Sequence, residues 1–206
     1  MQELKLLNPD QKKAVTSING RILVLAGAGS GKTKVITTRI AYLIQEKKIS
    51  PESILGLTFT NKAAQEMRER LGLLIGKSLS KKVSLFTFHS FCLQILRKEI
   101  HHLGFTQNFS LYDEKDIKRI LKEILKDHLK VEDVTSLSPV YDQISQAKNQ
   151  GTACDEEEIK AVADRLEKSL KAYNALDFDS LLTLTVQLFN RFTDVLEKYQ
   201  DKYRYI

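Results

Sequence analysis

Tryptophan is absent from this chain, and cysteine, methionine and proline are scarce: two, two and three among 206 residues. Cys92 sits in the apolar run Phe91-Cys92-Leu93 and Cys154 in an acidic loop. They share no metal-ligand spacing such as C-x-x-C, which leaves two reduced thiols as the plain reading. No stretch approaches the roughly 20 apolar residues of a membrane span. No charged n-region followed by an apolar h-region opens the chain, so a secretory signal is not expected. Internal repeats and low-complexity tracts are missing too. The expectation is a cytosolic protein without a membrane anchor, large enough for one substantial domain or two small ones.

What is present is a basic, ordinarily hydrophobic composition. Apolar residues make up 42% and the formal net charge is +6, with a sequence pI near 9.2. A basic excess favours polyanionic partners, nucleic acid above all, although many basic proteins bind none.

The first part of the chain alternates strand-like and helix-like patterns. Arg21-Ile22-Leu23-Val24-Leu25 is a short strand candidate that leads into a glycine cluster. Val35, Ile36, Ile40, Leu43 and Ile44 then recur at helical spacing. Ile54-Leu55-Gly56-Leu57 reads as a second strand, followed by a helix with Ala64, Met67, Leu71 and Leu74 on one face. Val83-Ser84-Leu85-Phe86 is a third, followed by a helix carrying Phe91, Cys92, Ile95 and Leu96. Strands alternating with helices predict a parallel sheet with crossovers, an α/β fold. Ahead of it, Asn8-Pro9-Asp10-Gln11 is a helix start: Asn8 caps, Pro9 suits the first helical position and Gln11 completes a capping box.

From about Asp113 the pattern is helical only. Ile117, Ile120, Leu121, Ile124 and Leu125 form one stripe. Ser138-Pro139 predicts a cap and first turn. Asp155-Glu156-Glu157-Glu158 opens a further helix, with acids where the dipole favours them, and its stripe is Ile159, Val162, Ala163, Leu166, Leu170 and Tyr173. Residues 109–175 therefore read as an all-helical subdomain inserted into an α/β domain formed by 1–108 and 176–206. Tyr203-Arg204-Tyr205-Ile206 looks like the beginning of a fourth strand.

The segment Ala26-Gly27-Ala28-Gly29-Ser30-Gly31-Lys32-Thr33 fits a phosphate-binding loop, with Ala26 where the strict pattern has its first Gly. Small residues let backbone N–H groups close around phosphate oxygens, and the following helix presents its N-terminus. Lys32 can reach the β- and γ-phosphates, and the Thr33 hydroxyl can ligate Mg²⁺. A chance match in a chain this long has a probability on the order of one per cent from average residue usage. ATP and Mg²⁺ are the expected cofactors, but kinases, transporter ATPases, GTPases and motors share this loop.

Further blocks narrow the choice. Leu7-Asn8-Pro9-Asp10-Gln11 resembles the Q motif of superfamily 1 helicases, and Leu25 to Thr33 their motif I. Thr58-Phe59-Thr60-Asn61-Lys62-Ala63-Ala64 resembles motif Ia, and Thr87-Phe88-His89-Ser90-Phe91 motif Ib. Ile144-Ser145-Gln146-Ala147-Lys148-Asn149 and Leu176-Asp177-Phe178-Asp179 resemble the UvrD/PcrA/Rep branch. The blocks occur in the family's order across nearly the whole chain. A small-molecule kinase would leave the Thr58–Ala64 and Thr87–Phe91 blocks unexplained.

The resemblance implies a partial RecA-like P-loop sheet with the helical subdomain inserted. It implies an ATP-dependent DNA helicase that moves 3′ to 5′ on single-stranded DNA and unwinds duplex, at single-strand/duplex junctions, in repair or replication. Gln11 would read the adenine edge, which its amide can pair with, while also capping its helix. Ala26, Gly27, Ala28, Gly29, Ser30, Gly31, Lys32 and Thr33 would hold the phosphates and Mg²⁺. Lys34 stands where close relatives have an Arg against the adenine, and it lacks the planar guanidinium. Phe59 would stack a base, with Thr58, Thr60, Asn61 and Lys62 holding phosphate or sugar; the competing reading is a core Phe. Arg68 and Arg70 could add phosphate contacts or form a solvated helix face. Thr87, His89 and Ser90 would touch the DNA backbone or couple it to the ATP site. His101, His102 and His128 match nothing and read as surface residues.

Two departures stand out. Ser180 occupies a position where the family often has a second Asp after Phe178-Asp179. The acidic Asp-Glu-x-x-Asp motif, which in the family follows the strand begun at Tyr203–Ile206, does not occur in the sequence. Asp177 and Asp179 read as capping residues rather than substitutes for it. The expectation is therefore an N-terminal portion of a helicase that binds nucleotide and DNA weakly without hydrolysis. The alternative is a stand-alone nucleotide- or DNA-binding module that lacks ATPase activity.

Overall fold

The computed structural model describes residues 1–129, 137–152, 154 and 156–206. Helices dominate: α1 (Pro9–Thr16), α2 (Lys32–Gln45), α3 (Asn61–Ile75), the short α4 (Lys77–Ser80), α5 (Phe88–Glu99), α6 (Glu114–Leu129), α7 (Ser138–Gln150), α8 (Glu157–Ala172), α9 (Phe178–Arg191) and α10 (Thr193–Lys202). The strands are β1 (Leu55–Thr58), β2 (Ser84–Thr87), β3 (Ser110–Leu111) and β4 (Ala175–Leu176). The chain forms two compact units, residues 1–88 with 198–206, and residues 89–197.

In the first unit β1 and β2 pair in parallel, from Leu55 opposite Ser84 to Thr58 opposite Thr87. A parallel pair needs a crossover, and α3 supplies it. Met67, Leu71 and Ile75 of α3 pack with Ile40, Leu43 and Ile44 of α2 and with Ile54, Val83 and Leu85 into one core. Arg68 is not a free cation of a solvated face: it donates to the Leu85 carbonyl at 2.8 Å. On the far side of β1, Ile54 bridges Tyr205 in parallel, and Leu55 N–H donates to the Tyr205 carbonyl at 2.8 Å. The expected strand at 203–206 is thus reduced to a single bridge. The fold is α/β with short parallel pairing, as expected of a partial RecA-like domain.

One expected strand does not form. Residues 21–25 are irregular, and Leu23 and Leu25 are 83% and 86% exposed. Apolar composition suits a strand, but pairing makes one. β1 is already flanked by β2 and Tyr205, and no strand among the described residues pairs with 21–25.

In the second unit, α6, α7 and α8 enclose a core of Ile117, Ile120, Leu121, Ile124, Leu125, Ile144, Val162, Leu166 and Leu170. Tyr173 leaves the expected stripe: it is the C-cap of α8 and 57% exposed. Ser138 is helical rather than a cap. Leu137 holds the cap position, and the Ser138 hydroxyl accepts from Lys118 at 2.9 Å. The acidic start of α8 retains Glu157 and Glu158 in its first turn, while Asp155 lies outside the described residues. β3 and β4 pair in parallel at Ser110–Ala175 and Leu111–Leu176, too short to show any alternation in sequence. His101 is exposed as expected. His102 is half-buried, its ring 4.9 Å from that of Phe192. The side chain of His128 lies outside the described residues.

Gly56 marks the tightest spot in the parallel pair. A Cβ there would come within 2.5 Å of a Leu85 methyl, and Leu85 is fully buried. Gly56→Ala is expected to cost about 1–3 kcal/mol, the usual cost of overpacking a core, read as a lower urea midpoint. An unchanged midpoint would show that Leu85 yields freely.

Candidate nucleotide and DNA site

The phosphate loop runs from residue 26 to the N-terminus of α2. Gly29 and Gly31 have φ of +75° and +83°, a region that penalises side chains with a Cβ. Gly31 caps α2 in the left-handed conformation. No neighbouring atom lies within 4 Å of the Cβ positions of Gly27 and Gly29. Lys32 turns its ammonium back into the loop, donating to the carbonyls of Ala26 at 3.1 Å and Gly27 at 2.7 Å. Thr33, half-buried, follows on the first turn of α2, with Lys34 exposed beside it.

α1 stands against this loop. Its capping box is formed as expected: Gln11 N–H donates to Asn8 Oδ1 at 2.8 Å, and Asn8 N–H donates to Gln11 Oε1 at 3.2 Å. The remaining donor of the same amide, Nε2, reaches the Ser30 carbonyl at 3.1 Å. Between them lies a cavity of about 330 Å³ walled by Gln11, Ala14, Val24, Ala26, Lys32 and Val35 among others. Apolar walls with a few convergent polar groups suit a small heterocyclic ligand. Lys34 does not line it.

The loop geometry fits a nucleotide phosphate. It does not by itself fit a metal. No group of three or more His, Cys, Asp or Glu side chains able to hold an ion occurs among the described residues. Thr33 would be one Mg²⁺ ligand, and nucleotide phosphates and water would supply others, which is how Mg²⁺ is commonly held.

At the carboxyl ends of the parallel strands the chain exposes aromatics. Thr58 ends β1, and Phe59 follows with 90% of its surface exposed, which excludes a core role. Its ring lies 5.6 Å from that of Phe88, tilted by 44°. Phe88, 41% exposed, was not singled out by sequence, although it lies in the motif Ib-like block. Thr60 caps α3 by accepting from Ala63 N–H at 3.1 Å, and Asn61 and Lys62 are exposed on its first turn. Thr87 is buried.

His89 and Ser90 belong to the second unit, half-buried on the first turns of α5. The His89 ring lies 6.1 Å from that of Phe178 on α9. In the same unit, the two blocks at 144–149 and 176–179 interlock. Lys148 Nζ donates to both carboxylate oxygens of Asp177, at 3.0 and 2.9 Å, and to the Ser180 hydroxyl at 2.7 Å. Asp179 accepts from Ser145 at 2.5 Å and from Asn149 at 3.0 Å. Asp177 caps α9, accepting from Ser180 N–H at 2.7 Å. This accounts for Ser180, whose hydroxyl is an acceptor for Lys148. Burial alone would push the Asp177 carboxyl up. The charge of Lys148 and the hydrogen bonds from Ser180 and Lys148 together outweigh it and hold the carboxyl below its ordinary value.

A glycine-shaped loop at the head of a helix, beside a parallel strand pair, has the architecture of a P-loop protein. The profile of the UvrD/REP helicase N-terminal domain matches residues 7–206, and the chain belongs to that family. It is 41% identical over its whole length to the ATP-dependent DNA helicase PcrA of Bacillus subtilis. Identity to the proteins of that name from Staphylococcus aureus (strain NCTC 8325 / PS 47) and Staphylococcus epidermidis is 39% and 37%, over 98% of the chain in each case. The chain spans 29% of the length of these relatives. No helix among the described residues is long and apolar enough to cross a membrane.

The Asp177 carboxyl is depressed in the folded state, so its contribution is present above the unfolded value and is lost as pH falls through the folded one. At pH 7, Asp177→Asn should destabilise the second unit by about 3 kcal/mol, since it leaves a mostly buried Lys148 without its counter-ion. The gap to wild type should narrow once the pH drops below about 4, the ordinary carboxylate range. Urea unfolding at the two pH values reads both parts, and a gap independent of pH would sink the assignment.

Proposed function

We propose that this chain is the N-terminal, ATP-binding part of an ATP-dependent DNA helicase that moves 3′ to 5′ on single-stranded DNA. In the cytosol the whole protein would unwind duplex from junctions during repair or replication. The observation that carries this is the glycine-shaped loop with the Lys32 ammonium on its carbonyls and Gln11 on the wall of the adjoining recess. Ala26 to Thr33 hold the nucleotide phosphates, Thr33 ligates Mg²⁺ and Gln11 pairs with adenine. To do so, its Nε2 would exchange the Ser30 carbonyl for the base.

The DNA side begins at the strand ends. The exposed Phe59 stacks a base, while Thr58, Thr60, Asn61 and Lys62 hold the backbone. His89 and Ser90 add backbone contacts, and the buried Thr87 fits a coupling role better than a direct contact. We assign residues 1–108 and 176–206 to the RecA-like domain and 109–175 to the inserted helical subdomain. The β3–β4 pair supports this, since it sets the two ends of the insertion side by side.

The 206-residue chain alone binds nucleotide and DNA without turnover. Phosphoryl transfer requires a positioned water and charge stabilisation that Lys32 and Thr33 supply only in part. No Asp-Glu-x-x-Asp is available in the sequence for the rest. Among the described residues, the carboxylates of Asp177 and Asp179 are already held by α7.

Lys32→Ala is expected to weaken MgATP binding at least about tenfold, as for a lost charge-assisted bond. Phosphate release by the 206-residue chain should stay at background with or without single-stranded DNA. DNA-stimulated release abolished by Lys32→Ala would overturn the inactive-chain claim. Phe59→Ala should cost about 1–3 kcal/mol in binding a labelled single-stranded oligonucleotide, the usual worth of a base–aromatic stack. Anisotropy titrations should also show affinity falling as salt rises. Equal affinity of variant and wild type at every salt concentration would refute the proposed track.

A further inference from the structure

The C-terminal end of α1 is fastened by a residue that no motif in the sequence singles out. Arg39 lies two turns along α2 from Lys32. Its Nη1 donates to the carbonyls of Ala14 at 2.9 Å and Val15 at 3.2 Å, and closely to that of Ser17. These are carbonyls that a helix end leaves without intrahelical partners, at the negative end of its dipole. A single guanidinium therefore completes the end of α1 from the helix that carries the phosphate loop. Val15, fully buried, anchors the same turn.

The other end of α1 is tied to the same body. Gln11 reaches the Ser30 carbonyl of the loop, and Ala14, whose carbonyl Arg39 holds, lines the recess beside Gln11. α1 has only eight residues, too few to be stable as an isolated helix. Its position over the loop thus depends on the burial of Val15 and on what holds its two ends. If the Arg39 contacts go, the helix can shift, and the Gln11 amide shifts with it. The loop, whose shape comes from its own glycines and the Lys32 bonds, does not depend on Arg39.

We propose that Arg39 is a positioning residue for base selection. It sets where Gln11 stands in the recess, so that the preference for one purine over the other depends on a side chain outside the recess. The inference rests on the reading of that recess as the adenine site. Arginine suits the place because its flat fork can address several carbonyls from one side; lysine would keep the charge and part of the bonding.

The test uses the 206-residue chain and competition against a fluorescent ATP analogue, with ATP, GTP and inorganic tripolyphosphate as competitors. Wild type is expected to prefer ATP. Arg39→Met should lose about fivefold to tenfold in ATP affinity, the worth of one misplaced hydrogen bond, with GTP and tripolyphosphate little changed. Arg39→Lys should restore most of the preference. Because Arg39 acts through Gln11, Gln11→Ala and the Gln11→Ala/Arg39→Met double variant should show the same loss. Additive losses, or an equal loss for all three competitors, would reduce Arg39 to a structural residue and overturn the proposal. So would an Arg39→Met variant that still prefers ATP as wild type does. A wild type that binds ATP and GTP equally would instead remove the adenine reading of Gln11, and the proposal with it. Should Arg39→Met melt below the working temperature, Arg39→Gln is read by the same criteria.

Discussion

The parallel pairing of β1 with β2 is the constraint on which the first unit depends. Two parallel strands cannot be joined by a tight turn, so the chain must leave β1, cross one face of the pair and re-enter beside the residue where β1 began. α3 makes that crossing and buries Met67, Leu71 and Ile75 in doing so. The same rule sends the carboxyl ends of both strands to one edge. Phe59 and Phe88 therefore emerge together, their rings 5.6 Å apart, although 29 positions separate them in sequence. Open α/β sheets place their ligands at this edge. Phe59 exposes 90% of its surface there and Phe88 41%, and this exposure is what the proposed base-stacking role rests on.

The nucleotide side follows a different logic. The loop is shaped by local backbone conformation, with Gly29 and Gly31 at positive φ, and owes little to the sheet. This is consistent with residues 21–25, just before it, having no strand neighbour among the described residues while the loop keeps its shape. Lys32 is bonded to two loop carbonyls, so an arriving phosphate must offer its ammonium more than they do. A polyphosphate does, through full negative charges against partial ones.

Sequence patterns were most legible where they depend on one helix at a time. The stripes of α3, α6 and, Tyr173 apart, α8 could be read in advance, as could the Asn8–Gln11 capping box, because spacing and local bonding decide them. The strand at 21–25 failed for the opposite reason: its residues have the right character, and a partner strand is not a property of the segment itself. β3 and β4 are two residues each, shorter than any periodicity. In the site, the phosphate loop and Gln11 announced themselves by motif. Arg39 and Phe88 did not, since each acquires meaning only from carbonyls or a ring brought close by folding.

The α7–α9 contact shows how far a departure from a family pattern can be explained by charge. Lys148 is a single cation held by Asp177 and by the neutral hydroxyl of Ser180. Asp179 takes its bonds from Ser145 and Asn149, neither of them charged. An aspartate in place of Ser180 would set a second carboxylate beside Asp177 in a mostly buried cluster that offers one lysine. Two like charges there would compete for that lysine, which raises the cost of ionising either one. Serine keeps the acceptor that Lys148 needs and removes the surplus charge. The α7–α9 joint can then rest on one balanced ion pair rather than on a pair of carboxylates sharing a cation.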